Sequence, residues 1–159
     1  MSLSSTALPS RWRMLLSGLA ATGLLALPRP SRGADAITAT DLAGRTVTLR
    51  APARKVILGE GRLMYGFSTL VPRTPFERIA GWADDMILYD PGTWRKYRAA
   101  FPQAERLPRF SNAVNADFST EQAIELDPDL VLFPLSAHQR MEATSTYDKL
   151  ARAGIATAV

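Results

Sequence analysis

The sequence has no cysteine and a single histidine, His138. The first absence excludes disulfide staples, thiolate metal sites, a cysteine nucleophile and a lipid-modified cysteine at a processed N-terminus. The second excludes any site that needs two imidazoles, and with it most zinc hydrolases. No G-x-S-x-G elbow surrounds Ser68, Ser111 or Ser119, so a serine hydrolase has no visible nucleophile. There is no phosphate-cradling loop with its lysine, no EF-hand spacing, no internal repeat and no low-complexity stretch. What is present is a chain able to fold. It has 159 residues, 47% of them apolar, without extreme charge. That length suits one ordinary domain.

The N-terminus reads as a leader. Residues 1–13 are polar, with Arg11 and Arg13 and no acid, and Met14 to Leu27 is an apolar run. Pro28 breaks the run, and Ala34-Asp35-Ala36 offers small residues where a signal peptidase reads them. This pattern predicts a secretory signal peptide over residues 1–36, cleaved after Ala36. The apolar run is shorter than the roughly 20 residues of a spanning helix. Arg11-Trp12-Arg13 is not a twin-arginine pair, which points to the general secretion route. The basic excess, 19 Lys+Arg against 15 Asp+Glu, shrinks to 15 against 14 without the leader. The charge therefore implies neither a nucleic-acid partner nor an anionic membrane surface.

Along residues 37–159, short apolar strands alternate with helical stretches. Ile37–Thr40 and Thr46–Arg50 flank a turn at 41–44 and predict a hairpin. Strands are expected at 55–59, 78–82, 129–133 and from Ile155. Helices are expected at 63–70, with Leu63, Phe67 and Leu70 on one face, and from a Thr93 cap to Phe101. Two more are expected at 120–126, behind a Ser119–Gln122 capping box, and at 141–153, with Tyr147, Leu150 and Ala151 inward. Residues 84–92 and 107–117 read as loops. The alternation predicts an α/β fold with a mostly parallel sheet flanked by helices, Rossmann-like, plus the small N-terminal hairpin. Ligands of such sheets sit at the carboxyl ends of the strands. The loops after Gly59, Trp82 and Phe133, and the 112–117 loop, should share that edge.

Several residues there carry chemistry. Gly59-Glu60-Gly61-Arg62 lets a ligand approach the backbone and offers a guanidinium to an anion; it also reads as an ordinary strand-to-helix turn. Trp82, Tyr89 and Trp94 either wall a pocket or fill the core. Asp84, Asp85 and Asp90 read as loop solvation and turn formation. Glu121 either offsets a helix dipole or faces a partner. His138 either caps a helix or touches a ligand.

Two motifs carry a resemblance. They are D-x-x-G-R-x-V at 41–47 and E-Q-A-I-x-L-x-P-D-L-V-L at 121–132. With the leader before them and GIATAV after a helix, they resemble the start of a periplasmic substrate-binding protein of ABC importers. The class is the one serving ferric siderophores, haem and cobalamin, and the likeness covers nearly all of residues 37–159. It implies a two-lobed protein holding its ligand between α/β lobes joined by a long helix. Residues 37–159 would be the N-terminal lobe, with the second lobe absent from this sequence, as in a truncated gene or a fragment. One lobe supplies part of the buried surface, so affinity should fall.

The resemblance also assigns roles. Glu121 would dock onto arginines of the inner-membrane permease. Glu60, Gly61, Arg62 and Tyr65 would form the first ligand-facing loop, with Trp82 and Ser136–His138 in later cleft loops. The expected cargo is a small iron complex, a ferric siderophore by charge pairing with Arg62. Haem, with Tyr65 or His138 near its iron, and cobalamin are alternatives. The expected protein is a periplasmic monomer without resident metal or cofactor, and not an enzyme. A small secreted α/β hydrolase is the alternative from another class.

Overall fold

A computed structural model of the chain describes residues 36–159. The predicted leader lies outside the described residues except for Ala36. Strands Ile37–Thr40 (β1) and Thr46–Leu49 (β2) pair antiparallel, Ile37 opposite Leu49 and Thr40 opposite Thr46. Asp41 builds the turn between them. Its carboxylate accepts the Ala43 and Arg45 backbone N–H groups at 3.0 and 2.9 Å, and Arg45 Nε and Nη2 at 2.9 and 2.7 Å. Gly44 supplies the positive φ, +75°, that the turn needs. The same carboxylate accepts the Val159 N–H at 3.2 Å, while the Val159 carbonyl accepts Leu42 N–H at 3.1 Å. The D-x-x-G-R motif thus ties the hairpin to the end of the last strand.

Burial pushes the Asp41 carboxyl up, but the bonds from Arg45 and Val159 outweigh it and hold it below the usual range. A lowered native pKa adds stability above the unfolded carboxylate range and loses it as pH falls through the native value. Asp41→Asn is therefore expected to cost about 1–3 kcal/mol at neutral pH and to flatten the acid decline of stability. Urea unfolding midpoints of both proteins between about pH 6 and pH 3 check this; parallel declines would refute it.

The main sheet has five parallel strands. They are Val56–Leu58 (β3), Ile79–Ala83 (β4), Arg109–Phe110 (β5), Leu130–Leu132 (β6) and Ala156–Ala158 (β7), in the order β5-β4-β3-β6-β7. Helices Met64–Leu70 (α1), Asp85–Tyr89 (α2), Pro91–Ala100 (α3), Thr120–Glu125 (α4), His138–Ala143 (α5) and Thr146–Arg152 (α6) lie between them. Parallel strands need such crossovers, and the helices cover both faces. Successive side chains of β3 point to opposite faces. Ile57 joins one core with Phe110, Phe118, Val131, Phe133, Met141 and Leu150. Val56 and Leu58 join the other with Met64, Phe76, Trp82, Met86 and Trp94. The predicted α/β class, parallel sheet and hairpin match this architecture.

The structure corrects several local expectations. Residues 84–92 are not an open polar loop, because α2 occupies 85–89 and Met86 anchors it in the core. The cap of α3 is Asp90, not Thr93: its Oδ1 accepts the Thr93 N–H at 3.0 Å, and Pro91 takes the first helical position. The 141–153 helix is two helices, split where Ser145 adopts a left-handed conformation, φ 54°. Ala151 consequently faces solvent. Of the face expected on the 63–70 helix, Leu63 and Phe67 pack against the core beside the buried Met64, but Leu70 is exposed. The 107–117 loop contains β5. In the capping box, Ser119 Oγ accepts the Gln122 N–H at 3.3 Å, but the Gln122 amide turns away to the Arg109 carbonyl at 3.1 Å.

Candidate functional site

β3 lies between β4 and β6, so the chain leaves it toward β4 and β5 and later returns on its other side to β6 and β7. That reversal is the topological switch point, and the carboxyl ends of β3 and β6 open onto it. The loops predicted to share an edge do so. The Gly59 N–H donates to the Leu132 carbonyl at 2.8 Å, and the Gly59 carbonyl accepts Ala113 N–H at 2.9 Å. Asp84 N–H donates to the Phe110 carbonyl at 3.1 Å.

The first loop is pinned from below by Asp85, which is fully buried. Its Oδ1 accepts the Gly61 N–H at 2.5 Å and its Oδ2 accepts Arg62 Nε at 3.2 Å. A Cβ on residue 61 would collide with the Ala83 carbonyl oxygen, so glycine is required there. Arg62 Nη2 also donates to Glu60 Oε1. Hydrogen bonding to Glu60 first, then the pull of Asp85, holds the guanidinium pKa above its ordinary value. Arg62, expected to offer its guanidinium to an anion, is half-exposed and is also held by two carboxylates. Asp85 is no solvation residue; it organises the loop.

Tyr65, half-exposed in the first turn of α1, donates its hydroxyl to Asp90 Oδ2 at 2.6 Å. That bond, with partial burial, pushes the phenol up to about 12. The Tyr65 bond, with those from Thr93, lowers Asp90. At the β6 end, Ser136 is exposed, while the His138 ring is engaged on both sides. Its Nδ1 meets the Tyr147 hydroxyl at 3.0 Å, and Nε2 lies 3.4 Å from Glu142 Oε1. Trp82 stands apart from these loops: it is fully buried, with Phe76 edge-on at 5.8 Å and Trp94 tilted at 5.3 Å. Its ring is core and does not wall the edge; Trp94 is likewise core, and Tyr89 is exposed.

Glu121 is exposed in the first turn of α4. Its own backbone N–H, then the Thr120 hydroxyl, lower its pKa, and it stays ionised near neutrality. A groove of about 400 Å³ beside it is lined by Asp117, Thr144, Thr146 and Lys149. Among the described residues no cluster of three or more His, Cys, Asp or Glu side chains is placed to hold a metal. Nor, among them, is any helix long and apolar enough to cross a membrane. Sequence reasoning missed Asp85 and Asp90. The available signal for Asp85 was its position just after an apolar strand, and for Asp90 its place before Pro91 at a helix start.

No protein-family model matches the chain, and no curated protein sequence does. Solved structures do. The TroA-like periplasmic binding protein FepB from Veillonella parvula superposes with a TM-score of 0.67 at 30% identity, over 77% of this chain and 36% of that one. CeuE from Helicobacter pylori superposes with a TM-score of 0.55 at 20% identity, over 77% and 35%. The periplasmic catecholate-siderophore binding protein VctP from Vibrio cholerae gives 0.51 at 18%, over 79% and 37%. The chain spans about a third of the length of these proteins. The described residues have the fold of a single lobe of a TroA-like periplasmic binding protein.

Proposed function

We propose that residues 37–159 form the N-terminal lobe of the substrate-binding component of an ABC importer for an iron complex, with a ferric siderophore as cargo. One observation carries this reading: the 30% identity and shared fold with a TroA-like binding protein, over a lobe whose switch-point edge gathers the expected loops. On this reading residues 1–36 are a signal peptide and the protein acts as a periplasmic monomer. Glu60, Gly61, Arg62, Tyr65, Ser136 and His138 face the ligand, and Trp82 supports them from the core. The protein binds and delivers; it does not catalyse.

The edge favours a siderophore over haem. The Tyr65 proton is held by Asp90, which disfavours the phenolate an axial ligand would provide. The His138 Nδ1 is taken by the Tyr147 hydroxyl, and Nε2 lies 3.4 Å from Glu142. Titration of the full chain with ferric siderophores and with haemin tests the choice. Heat of binding from a ferric siderophore without a Soret shift from haemin is expected. A saturable Soret shift, with no siderophore binding, would make haem the cargo.

Glu121 is the proposed contact to permease arginines. Removing one partner of a docked charge pair costs about 2–5 kcal/mol. Glu121→Ala in the transporting protein is therefore expected to reduce uptake at least tenfold while ligand affinity stays within a factor of two or so. Equal loss of uptake and affinity would sink the docking role.

A further inference from the structure

A strand-to-helix loop with two glycines and an arginine offers an anion two kinds of donor, backbone N–H groups and the guanidinium. In this chain the Gly61 N–H and two of the guanidinium's donors are already taken. Asp85 accepts both the Gly61 N–H and Arg62 Nε, and Glu60 accepts Arg62 Nη2. A further acid of these loops, Asp90, takes the Tyr65 hydroxyl and the Thr93 N–H. The remaining charges have the same sign. The loops at 59–62, 84–90, 111–117 and 134–137 contain Glu60, Asp84, Asp85, Asp90 and Asp117, against Arg62 as their only base. Bases near them belong to other elements, Lys149 of α6 among them beside Asp117. Lys96 of α3 acts on Asp90, Arg140 of α5 lies 3.7 Å from Asp117, and Arg109 of β5 stacks over Trp94 at 5.1 Å. None of the three adds a free positive charge to the first loop.

We infer that this edge selects an iron complex of neutral or positive net charge, such as a ferric trihydroxamate, over a multiply anionic complex such as a ferric tris-catecholate. The inference rests on the iron-complex reading above and reverses the charge preference that Arg62 suggests when it is counted as a free cation. An anionic cargo would have to displace Glu60 or Asp85 from Arg62 and would meet the field of the other acids. A cationic complex meets an attractive field, and exposed tyrosine surface at Tyr65 and Tyr89 can pack on its organic shell.

The test is a pair of titrations of the full chain, one with a monocationic ferric trihydroxamate and one with a trianionic ferric tris-catecholate, each at low and high salt. The hydroxamate complex is expected to bind about tenfold tighter or better at low salt, with the ratio shrinking as salt screens the edge. Glu60→Gln removes one acid and loosens Arg62, and is expected to narrow the ratio severalfold. Asp117→Asn removes a charge from an exposed side chain and is expected to narrow it by less. Tighter binding of the catecholate complex, or a ratio indifferent to salt and to both substitutions, overturns the charge inference and leaves the iron-complex reading standing. Binding of neither complex overturns both.

Discussion

Trp82→Ala is expected to produce the largest loss of stability of any substitution considered, about 3–5 kcal/mol. The indole is fully buried on the β4 face of the sheet, against Phe76 and Trp94, in a cluster that includes Val56, Leu58, Met64 and Met86. Truncation removes the transfer free energy of a large ring and leaves a cavity between two helices and a strand. Total stabilities of domains this size are about 5–15 kcal/mol, so the variant would sit near its unfolding threshold at room temperature. Trp82→Phe separates ring packing from polar chemistry. The indole Nε1 is buried with no hydrogen-bond partner among the described residues. Phenylalanine discards that orphan donor together with part of the ring, so the two effects oppose and the cost should be about 1–2 kcal/mol. Urea unfolding followed by far-UV circular dichroism measures both. If Trp82→Ala kept its midpoint, the ring would not be part of the core.

Asp85→Ala is expected to cost about 2–3 kcal/mol and to weaken ligand binding about tenfold. The stability loss has a mainly local origin: the buried Gly61 N–H loses its acceptor. The binding loss follows from position, since Arg62 would be left to Glu60 alone and the loop at the end of β3 would lose its anchor. These two roles are separable. If Asp85 acts through Arg62, the double variant Asp85→Ala/Arg62→Ala should bind ligand about as Arg62→Ala does, because the second change removes what the first positioned. Additive losses in affinity would show that Asp85 reaches the ligand by another route. The stability loss should persist in the double variant either way, since it belongs to the Gly61 N–H.

The reach of the sequence can be judged from particular elements. The hairpin, four of the five sheet strands and most of the covering helices follow from local patterns: β-branched runs, Pro and Gly breaks, and a serine cap; β5 and α2 lie in stretches that read as loops. Those signals act within a few residues, and a sequence carries them in full. The shared edge of the loops also followed, because parallel strands joined by helices present all their carboxyl ends on one side. The split at Ser145 was hidden because its neighbours read as continuous helix, and only the packing of Met141 and Leu150 into one core forces the left-handed break. Gln122 was half-read. Its spacing from Ser119 identifies the cap, but the Arg109 carbonyl across the fold decides where its amide goes.

The composition by itself determined that thiol chemistry and paired imidazoles are excluded, and the local patterns determined a parallel α/β lobe with its edge of loops. Only the tertiary structure decided which charges on that edge are free. Asp85 lies 24 residues beyond Gly61, and nothing local reveals that its carboxylate enters the first loop. Likewise, 25 residues separate Tyr65 from Asp90, whose carboxylate keeps the phenol protonated. The physical reason is common to both. A short-range pattern fixes the backbone of each element, whereas the partner of a charged side chain is set by which elements the sheet order brings side by side.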